Sequence, residues 1–211
     1  MAETLKKAGY ITGMFGKWHL GSNDQHPSER GFDKAIMSAG AHYGFKTDPS
    51  LDHDPDQYLS DFLCDNALQF IEESHQSEKP FFLYFPDFLV HKPLDAKPEY
   101  LEYFEKKQNG KYHKSSVAAA MTKSLDDTVG RILKKLAELG IEEETFVVFT
   151  SDNGGLDYIE DGEKEKNTSN HPLRGRKGTE WEGGMRVPYI FRWPERIPGG
   201  SVSKHNIINV D

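Results

Sequence analysis

The chain has 211 residues, enough for one α/β domain with a sizeable core or for most of one. Its mean hydropathy of −0.70 and the lack of any apolar run of about 20 residues exclude a membrane-spanning helix. The net charge of −8 argues against nucleic acid as a partner, because nucleic-acid-binding proteins usually present a basic face. Cys64 is the one cysteine, so no intrachain disulfide can form. Cysteine usage therefore does not indicate whether the protein resides in an oxidising or a reducing compartment.

Helical and strand patterns alternate along the chain, which predicts an α/β fold. A helix end stopped by Gly9 leads into a strand that ends at Phe15. Residues 21–56 read as a long loop with one short strand near Lys34–Met37, and long ordered loops are usually functional. The later predicted elements are a helix over Gln57–His75, a strand over Phe81–Phe85, a helix over Pro98–Lys107, a long helix from a Ser115 or Ser116 cap to Gly140, a strand over Thr145–Thr150, a charged surface loop over Asp157–Asn170, a strand over Val187–Trp193 and an apolar segment over Asn206–Asp211.

Three of the apolar runs end directly in polar clusters. The first runs into Gly16-Lys17-Trp18-His19-Leu20-Gly21, the second into Val90-His91-Lys92-Pro93 and the third into Ser151-Asp152-Asn153-Gly154-Gly155. Ligands of parallel α/β sheets bind beyond the carboxyl ends of the strands. We therefore expect the three strands to lie parallel in one sheet, around a crevice lined by Lys17, His19, His91, Asp152, Asn153 and Lys177.

Two pairs of residues in these clusters indicate a chemical role by themselves. Asp152 and Asn153 are adjacent oxygen donors of the kind that Ca²⁺ or Mg²⁺ prefers, although Asp-Asn-Gly is also a strong turn signal. Lys17 and His19 are two residues apart and point to the same side if strand geometry continues. One could polarise an oxygen while the other moves a proton, whereas an isolated pair would be a solvated lysine and a hydrogen-bonded histidine.

Four blocks carry a family resemblance, and they span nearly the whole chain. They are Gly9-Tyr10-x-Thr12 with Gly16-Lys17-Trp18-His19, His91-x-Pro93, Thr150-Ser151-Asp152-Asn153-Gly154-Gly155, and Leu173-Arg174-Gly175-x-Lys177-Gly178 through Glu182-Gly183-Gly184-x-Arg186-Val187-Pro188. In these blocks the chain resembles the arylsulfatase-type sulfatases of the alkaline-phosphatase-like superfamily. The resemblance implies a three-layer α/β/α sandwich with a mostly parallel, mixed sheet that is incomplete at both ends. Residues 1–211 would then be a single partial catalytic domain without its N-terminal nucleophile segment and C-terminal part.

The resemblance also implies a reaction, the hydrolysis of sulfate esters of sugars or aryl compounds through a covalent sulfate. Its nucleophile would be a formylglycine made from a Cys/Ser-x-Pro/Ala-x-Arg motif in the missing N-terminal segment. Asp152 and Asn153 would bind Ca²⁺ (or Mg²⁺) together with upstream aspartates. Lys17 and His19 would face the formylglycine hydroxyl and the sulfate, while His91 and Lys177 would hold the ester and protonate or stabilise the leaving oxygen. A sulfated small molecule or sulfated glycan is the implied partner.

Two other functions stay open at this point. The first is a phosphatase, phosphodiesterase or phosphonate hydrolase of the same superfamily, and the second is a non-catalytic protein that binds anions or a partner. Members of the family are usually exported, into the periplasm, the medium or the lysosome, but residues 1–7 lack the apolar core of a signal peptide. The segments predicted to set specificity are residues 40–56, residues 157–171 and the C-terminal part that the resemblance implies is missing.

Several other residues receive structural interpretations. Cys64 lies at helical spacing with apolar residues and reads as a buried thiol. Trp18, Trp181, Glu182 and Arg186 are assigned chiefly to packing and loop support. His42 and His53 are instead candidates for lining a substrate pocket. Asn167-Thr168-Ser169 matches the sequence pattern of a glycosylation site.

Overall fold

A computed structural model describes residues 1–157 and 168–205, which form two compact units. The first unit contains Met1–Lys135, and the second contains Leu136–Leu156 and residues 170–205. None of the described helices is long and apolar enough to cross a membrane. The predicted apolar segment Asn206–Asp211, most of the charged loop and Asn167 of the sequon lie outside the described residues.

The first unit is built on a parallel three-stranded sheet in the order β2-β1-β3. Its strands are β1 (Ile11–Gly16), β2 (Lys34–Met37) and β3 (Phe81–Tyr84). In the central strand, Gly13 pairs with Lys34 of β2 on one side and with Leu83 of β3 on the other. Because both neighbours run parallel to β1, the carboxyl ends of all three strands meet at one edge of the sheet.

Both faces of this sheet are covered, as the α/β prediction requires. On one face, Phe15 packs against Phe70 of helix α2 (Leu59–Gln76), with ring centroids 5.6 Å apart. On the other face, Met14 forms a buried cluster with Phe32 and with Ala2 of helix α1 (Ala2–Lys7). Consecutive strand residues therefore enter opposite layers, which follows from the two-residue period of a strand.

Two further helices extend this unit. The long helix α4 (Ser116–Glu138) packs on α2, where Thr128 Oγ1 lies 3.0 Å from Ser60 Oγ. Helix α3 (Pro98–Glu105) and the first turns of α4 enclose a second apolar cluster around Met121. The predicted serine cap of α4 is confirmed, because Ser115 Oγ accepts a hydrogen bond of 3.2 Å from Ala118 N.

The second unit corrects the expectation of one sheet with three parallel strands. Strand β4 (Val147–Thr150) pairs antiparallel with β5 (Tyr189–Arg192), and these two form their own two-stranded sheet in the described part of the chain. A short helix, α5 (Glu182–Met185), precedes β5. The error has a physical cause. An apolar run that ends in a polar cluster predicts where a strand lies and where it ends, but it does not predict which other strand forms backbone hydrogen bonds with it.

The other helices and strands predicted within the described residues are confirmed, with small shifts at their ends. Strand β2 covers the residues expected for it, and α2 begins two residues later than predicted. Strands β3, β4 and β5 are each shorter than the apolar runs that predicted them. The loop between β1 and β2 also contains two short 3-10 helices, Asn23–Gln25 and Pro27–Arg30.

The Asp33 carboxylate ties the start of β2 to β1 and α1. Its Oδ2 accepts a 2.9 Å hydrogen bond from Thr12 N, and its Oδ1 lies 2.8 Å from Lys6 Nζ. Partial burial alone would raise the pKa of Asp33, but the hydrogen bonds from Lys6 and Thr12 outweigh it and lower the pKa below its usual value. The ionised carboxylate is thus the form that stabilises the fold.

We predict that Asp33→Ala lowers the free energy of unfolding at pH 7 by on the order of 1–2 kcal/mol, the scale of charge-assisted hydrogen bonds at a partly exposed site. Because the pKa of Asp33 is lower in the folded state, its stabilisation is present above about pH 4 and is lost as the pH falls through the folded-state pKa. Urea unfolding at pH 7 and pH 3 measures this, with the exposed Asp24→Ala as control. A difference between wild type and variant that is as large at pH 3 as at pH 7 would contradict the assignment.

Candidate active site

The first polar cluster follows the carboxyl end of the central strand. At that point the β1 backbone approaches the segment after β3, and Lys17 N donates a 2.8 Å hydrogen bond to Pro86 O. Gly16 makes this approach possible: its φ is +143°, and a Cβ there would lie 2.0 Å from the Pro86 oxygen. The Lys17 side chain is half-buried, and the His19 side chain is exposed.

His91 lies in the segment that Gly16 touches, which runs from β3 towards Pro93. His91 N donates to Phe88 O at 2.9 Å, so the chain turns tightly before the exposed imidazole. The ring Nδ1 lies 2.9 Å from Lys92 O. Since a carbonyl oxygen only accepts, Nδ1 carries the proton in this contact and Nε2 is the ring nitrogen left for a substrate.

The buried Phe88 ring brings these two candidates together. Its centroid lies 5.7 Å from Lys17 Nζ and 5.0 Å from the centroid of the His91 ring. An ammonium at this distance from an aromatic ring is held electrostatically as well as by packing. Lys17 and His91 are 74 positions apart in the chain. The structure thus places a cation and an imidazole around one ring beyond neighbouring parallel strands.

The second unit holds Asp152 and Asn153 directly after β4. Ser151 Oγ donates to Asn153 O at 2.9 Å, and Gly154 N donates to Gly184 O at 2.9 Å. The Asp152 side chain is exposed, and the Asn153 side chain is half-buried. Gly154 has no room for a side chain, because a Cβ there would lie 1.9 Å from Gly183 O.

Lys177 is joined to that same turn through its backbone. Lys177 N donates to Gly155 O at 2.9 Å, and the Asn170 amide contacts both backbone groups of Gly155, through Oδ1 at 3.1 Å and Nδ2 at 2.8 Å. The Arg174 guanidinium stacks on Trp181, 3.6 Å from the ring centroid. Lys177, Asp152 and Asn153 therefore belong to one hydrogen-bonded group of loops within this unit.

The oxygen donors of this unit fit a hard divalent cation in kind, since they are a carboxylate and an amide oxygen. Asn153 uses its Nδ2 to donate to Gly154 O at 3.1 Å, which is compatible with Oδ1 facing a cation. No group of three or more His, Cys, Asp or Glu suited to a metal ion is found among residues 1–157 and 168–205. Asp152 and Asn153 would therefore form only part of a metal shell.

The structure also decides the interpretation of other candidates. Cys64 is buried in α2, and burial raises the pKa of its thiol to about 11, which confirms a structural role. Trp18 packs beside the Met14 cluster, as expected. His42 is 1% exposed, so it does not line an open pocket: its ring packs between Tyr58 and Phe88. His53 is half-buried and stacks on Phe45, with ring centroids 3.9 Å apart.

Three supporting residues were missed by sequence reasoning. Phe88 holds Lys17 and His91, Asn170 joins the two loops of the second unit, and Asp87 anchors the segment before His91. Burial raises the pKa of Asp87, opposed by a 2.5 Å hydrogen bond from Ser60 Oγ to Oδ2. Each lies outside the motifs, and its role depends on neighbours far away in the chain, so the local pattern gave no signal.

Comparison with known proteins identifies the family. A sulfatase family model matches residues 1–211. The chain belongs to the sulfatase family. It is 34% identical to the N-acetylgalactosamine-6-sulfatase of Canis lupus familiaris over 96% of its own length, and 31% identical to the arylsulfatase J of Mus musculus over 97%. It spans only 41% and 36% of those two proteins, respectively.

A similar fold also occurs among solved structures. The crystal structure of Ps i-CgsB in complex with k-i-k-neocarrahexaose superposes with a TM-score of 0.80 at 29% identity. The match covers 94% of this chain and 48% of that one. The α/β, alkaline-phosphatase-like fold class expected from the sequence is thereby confirmed.

We predict that Gly16→Ala destabilises the protein by about 1–3 kcal/mol or more, because the new Cβ would collide with the Pro86 carbonyl. Gly130→Ala is the matched control: this exposed glycine lies inside α4 with nothing within 4 Å of its Cβ position. There the exchange should be neutral or stabilise by up to about 1 kcal/mol. Urea unfolding followed by circular dichroism compares the two, and equal effects would argue against the close approach.

Proposed function

We propose that the enzyme containing this chain is a sulfuric ester hydrolase. The observation that carries the proposal is the meeting of Lys17 and His91 around Phe88, beyond the carboxyl ends of parallel strands, in a chain of the sulfatase family. Ligands bind at this edge in parallel α/β sheets. A half-buried ammonium beside an imidazole suits an anionic ester whose leaving oxygen must receive a proton.

We assign the proposed roles residue by residue. Lys17 and Lys177 bind the sulfate oxygens and offset the charge that develops on them. His91 or Lys177 donates the proton that the leaving alcohol oxygen needs. Because Nδ1 of His91 is directed at Lys92 O, His91 fills this role as the doubly protonated imidazolium, which donates from Nε2. His19, exposed two residues beyond Lys17, moves a proton at the nucleophile. The Gly155 contacts of Lys177 N and Asn170 keep the Lys177 loop beside the metal-ligand turn.

Asp152 and Asn153 are the proposed ligands of Ca²⁺ (or Mg²⁺). When bound, such an ion supplies Lewis-acid stabilisation of negative charge on oxygen. The chain's own part is to hold the two oxygen donors in place. Ser151 and the backbone of Gly184 do this by hydrogen bonding to the turn that carries them.

The proposed nucleophile is a formylglycine from a part of the enzyme outside residues 1–211. The Cys/Ser-x-Pro/Ala-x-Arg pattern does not occur in these residues. Cys64 does not replace it, because it is buried and is followed by Asp65-Asn66-Ala67. The chain's partial coverage of its relatives is consistent with this assignment.

A sulfated glycan or a sulfated small molecule is the proposed substrate class. The support for a glycan is the similarity to Ps i-CgsB, whose structure contains k-i-k-neocarrahexaose. Residues 1–211 are proposed to be one partial catalytic domain of the enzyme. An aryl sulfate and sulfated oligosaccharides are therefore the substrates to test, with an aryl phosphate to detect the phosphatase alternative.

We predict that the 211-residue polypeptide alone shows no sulfatase turnover, because its sequence lacks the nucleophile motif and residues 1–157 and 168–205 hold no complete metal shell. The measurement is release of a phenol from an aryl sulfate with Ca²⁺ present. Turnover that survives repurification and disappears in Lys17→Ala would overturn the proposal, since another nucleophile would then be required.

In the formylglycine-containing enzyme, Lys17→Ala, His19→Ala, His91→Ala and Lys177→Ala should each lower kcat/KM on the order of 10²-fold or more, the range for acid–base and oxyanion groups. Stability should change little, because these side chains are exposed or half-buried. Lys7→Ala, an exposed lysine of α1, is the control and should keep full activity. Unaltered kinetics in all four variants would rule out the proposed roles.

A further inference from the structure

A buried histidine lies behind the Lys17–His91 pair and takes no part in the roles proposed above. His42 sits in the loop between β2 and α2, and its backbone oxygen accepts a 2.8 Å hydrogen bond from Leu59 N at the start of α2. The ring stacks on Tyr58, with centroids 5.6 Å apart and planes 18° apart. The backbone and the ring of His42 are therefore both fixed to the first turn of one long helix.

The imidazole of His42 reaches the backbone of His91. Its Nε2 lies 2.9 Å from His91 O. Because the carbonyl can only accept, this contact requires the tautomer with the proton on Nε2. Nδ1 is buried with no hydrogen-bond partner among the described residues, so the opposite tautomer would bury an unpaired donor and lose the contact to His91.

The His42 ring also supports the ring that organises the two candidates. It lies 4.9 Å from the Phe88 ring, which in turn contacts the His91 ring and Lys17 Nζ. A second anchor holds the same segment to α2: Asp87 Oδ2 accepts from Ser60 Oγ, and Asp87 Oδ1 accepts a 3.1 Å hydrogen bond from Leu89 N. The segment is thus fixed on both sides of Phe88, by Asp87 before it and by His42 after it.

We propose that His42 is a positioning residue for His91: its buried Nε2–H fixes the His91 carbonyl, while its ring fixes Phe88 and through it Lys17. The proposal depends on the proposed sulfatase function only in the experiment that measures turnover. A misplacement of about 1 Å in a reacting group can cost up to about 10²-fold in rate, so a donor that touches no substrate can still control kcat.

The chain offers a matched pair of variants and a matched control. His42→Phe keeps a flat ring between Tyr58 and Phe88 but removes the donor, whereas His42→Gln keeps an amide N–H of similar reach. His53→Phe is the control, because His53 also stacks on an aromatic ring and places Nε2 3.0 Å from a backbone oxygen, that of Phe45. It therefore removes the same kind of contact from a histidine that does not contact His91 or Phe88.

The first experiment is NMR of the histidine rings in the 211-residue chain at constant pH. It does not require turnover. In the wild type we expect the His42 ring nitrogen shifts of an Nε2–H tautomer and one set of His91 ring signals. In His42→Phe the His91 signals should broaden, split or shift, whereas in His42→Gln and His53→Phe they should stay close to wild type. An Nδ1–H tautomer for His42, or His91 signals that respond no more to His42→Phe than to His53→Phe, would overturn the proposal.

The second experiment measures kcat and KM in the formylglycine-containing enzyme. His42→Phe should lower kcat about 10-fold to 10²-fold with KM changed less than about threefold, and His42→Gln should recover most of the loss. Equal losses of kcat in the Phe and Gln variants would mean that His42 only fills the core, which overturns the proposal. A wild-type enzyme without sulfatase turnover would instead refute the proposed function, and the NMR result would still decide the role of His42.

Discussion

The arrangement of the first unit depends on the contact between the backbones of Gly16 and Pro86. A parallel sheet brings the ends of β1 and β3 to one edge, but it does not bring the segments beyond them into register. The 2.8 Å hydrogen bond from Lys17 N to Pro86 O does so, and it requires a residue without a Cβ at position 16. Lys17 leaves the strand from this point, and the segment that carries His91 begins at it.

The second unit also contains a close backbone approach at a glycine, formed by different residues. Gly154 approaches the backbone of Gly183 and Gly184 so closely that a side chain is excluded, and Gly154 N donates to Gly184 O. The loops that carry Asp152, Asn153 and Lys177 are thereby joined by backbone groups, with the Asn170 amide as the one side-chain link described above. Because these contacts are made by backbone groups, they do not use the side chains of Asp152 and Lys177, which suits a site for a charged ligand.

Support and chemistry are divided between buried and exposed groups. Phe88 and His42 are buried and Asp87 is half-buried, while His19, His91 and Asp152 are exposed. Buried groups tolerate little displacement because protein interiors are closely packed, and exposed groups can meet a substrate. The chain is acidic overall, with a net charge of −8, yet the candidate sulfate ligands are lysines. A few cations fixed at strand ends matter more to a bound anion than the total charge does.

The sequence by itself determined the elements and the family. Short apolar stretches located β1 and β2, and helical spacing of apolar residues located α2 and α4, because buried residues leave a trace in the local sequence. The motif blocks indicated a sulfatase before any contact was known. Only the tertiary structure decided that β4 pairs with β5, that Phe88 joins Lys17 to His91, and that His42 is buried behind them. These features depend on contacts between residues far apart in the chain, and the identity of a residue's distant neighbours is not encoded in the local periodicity around it.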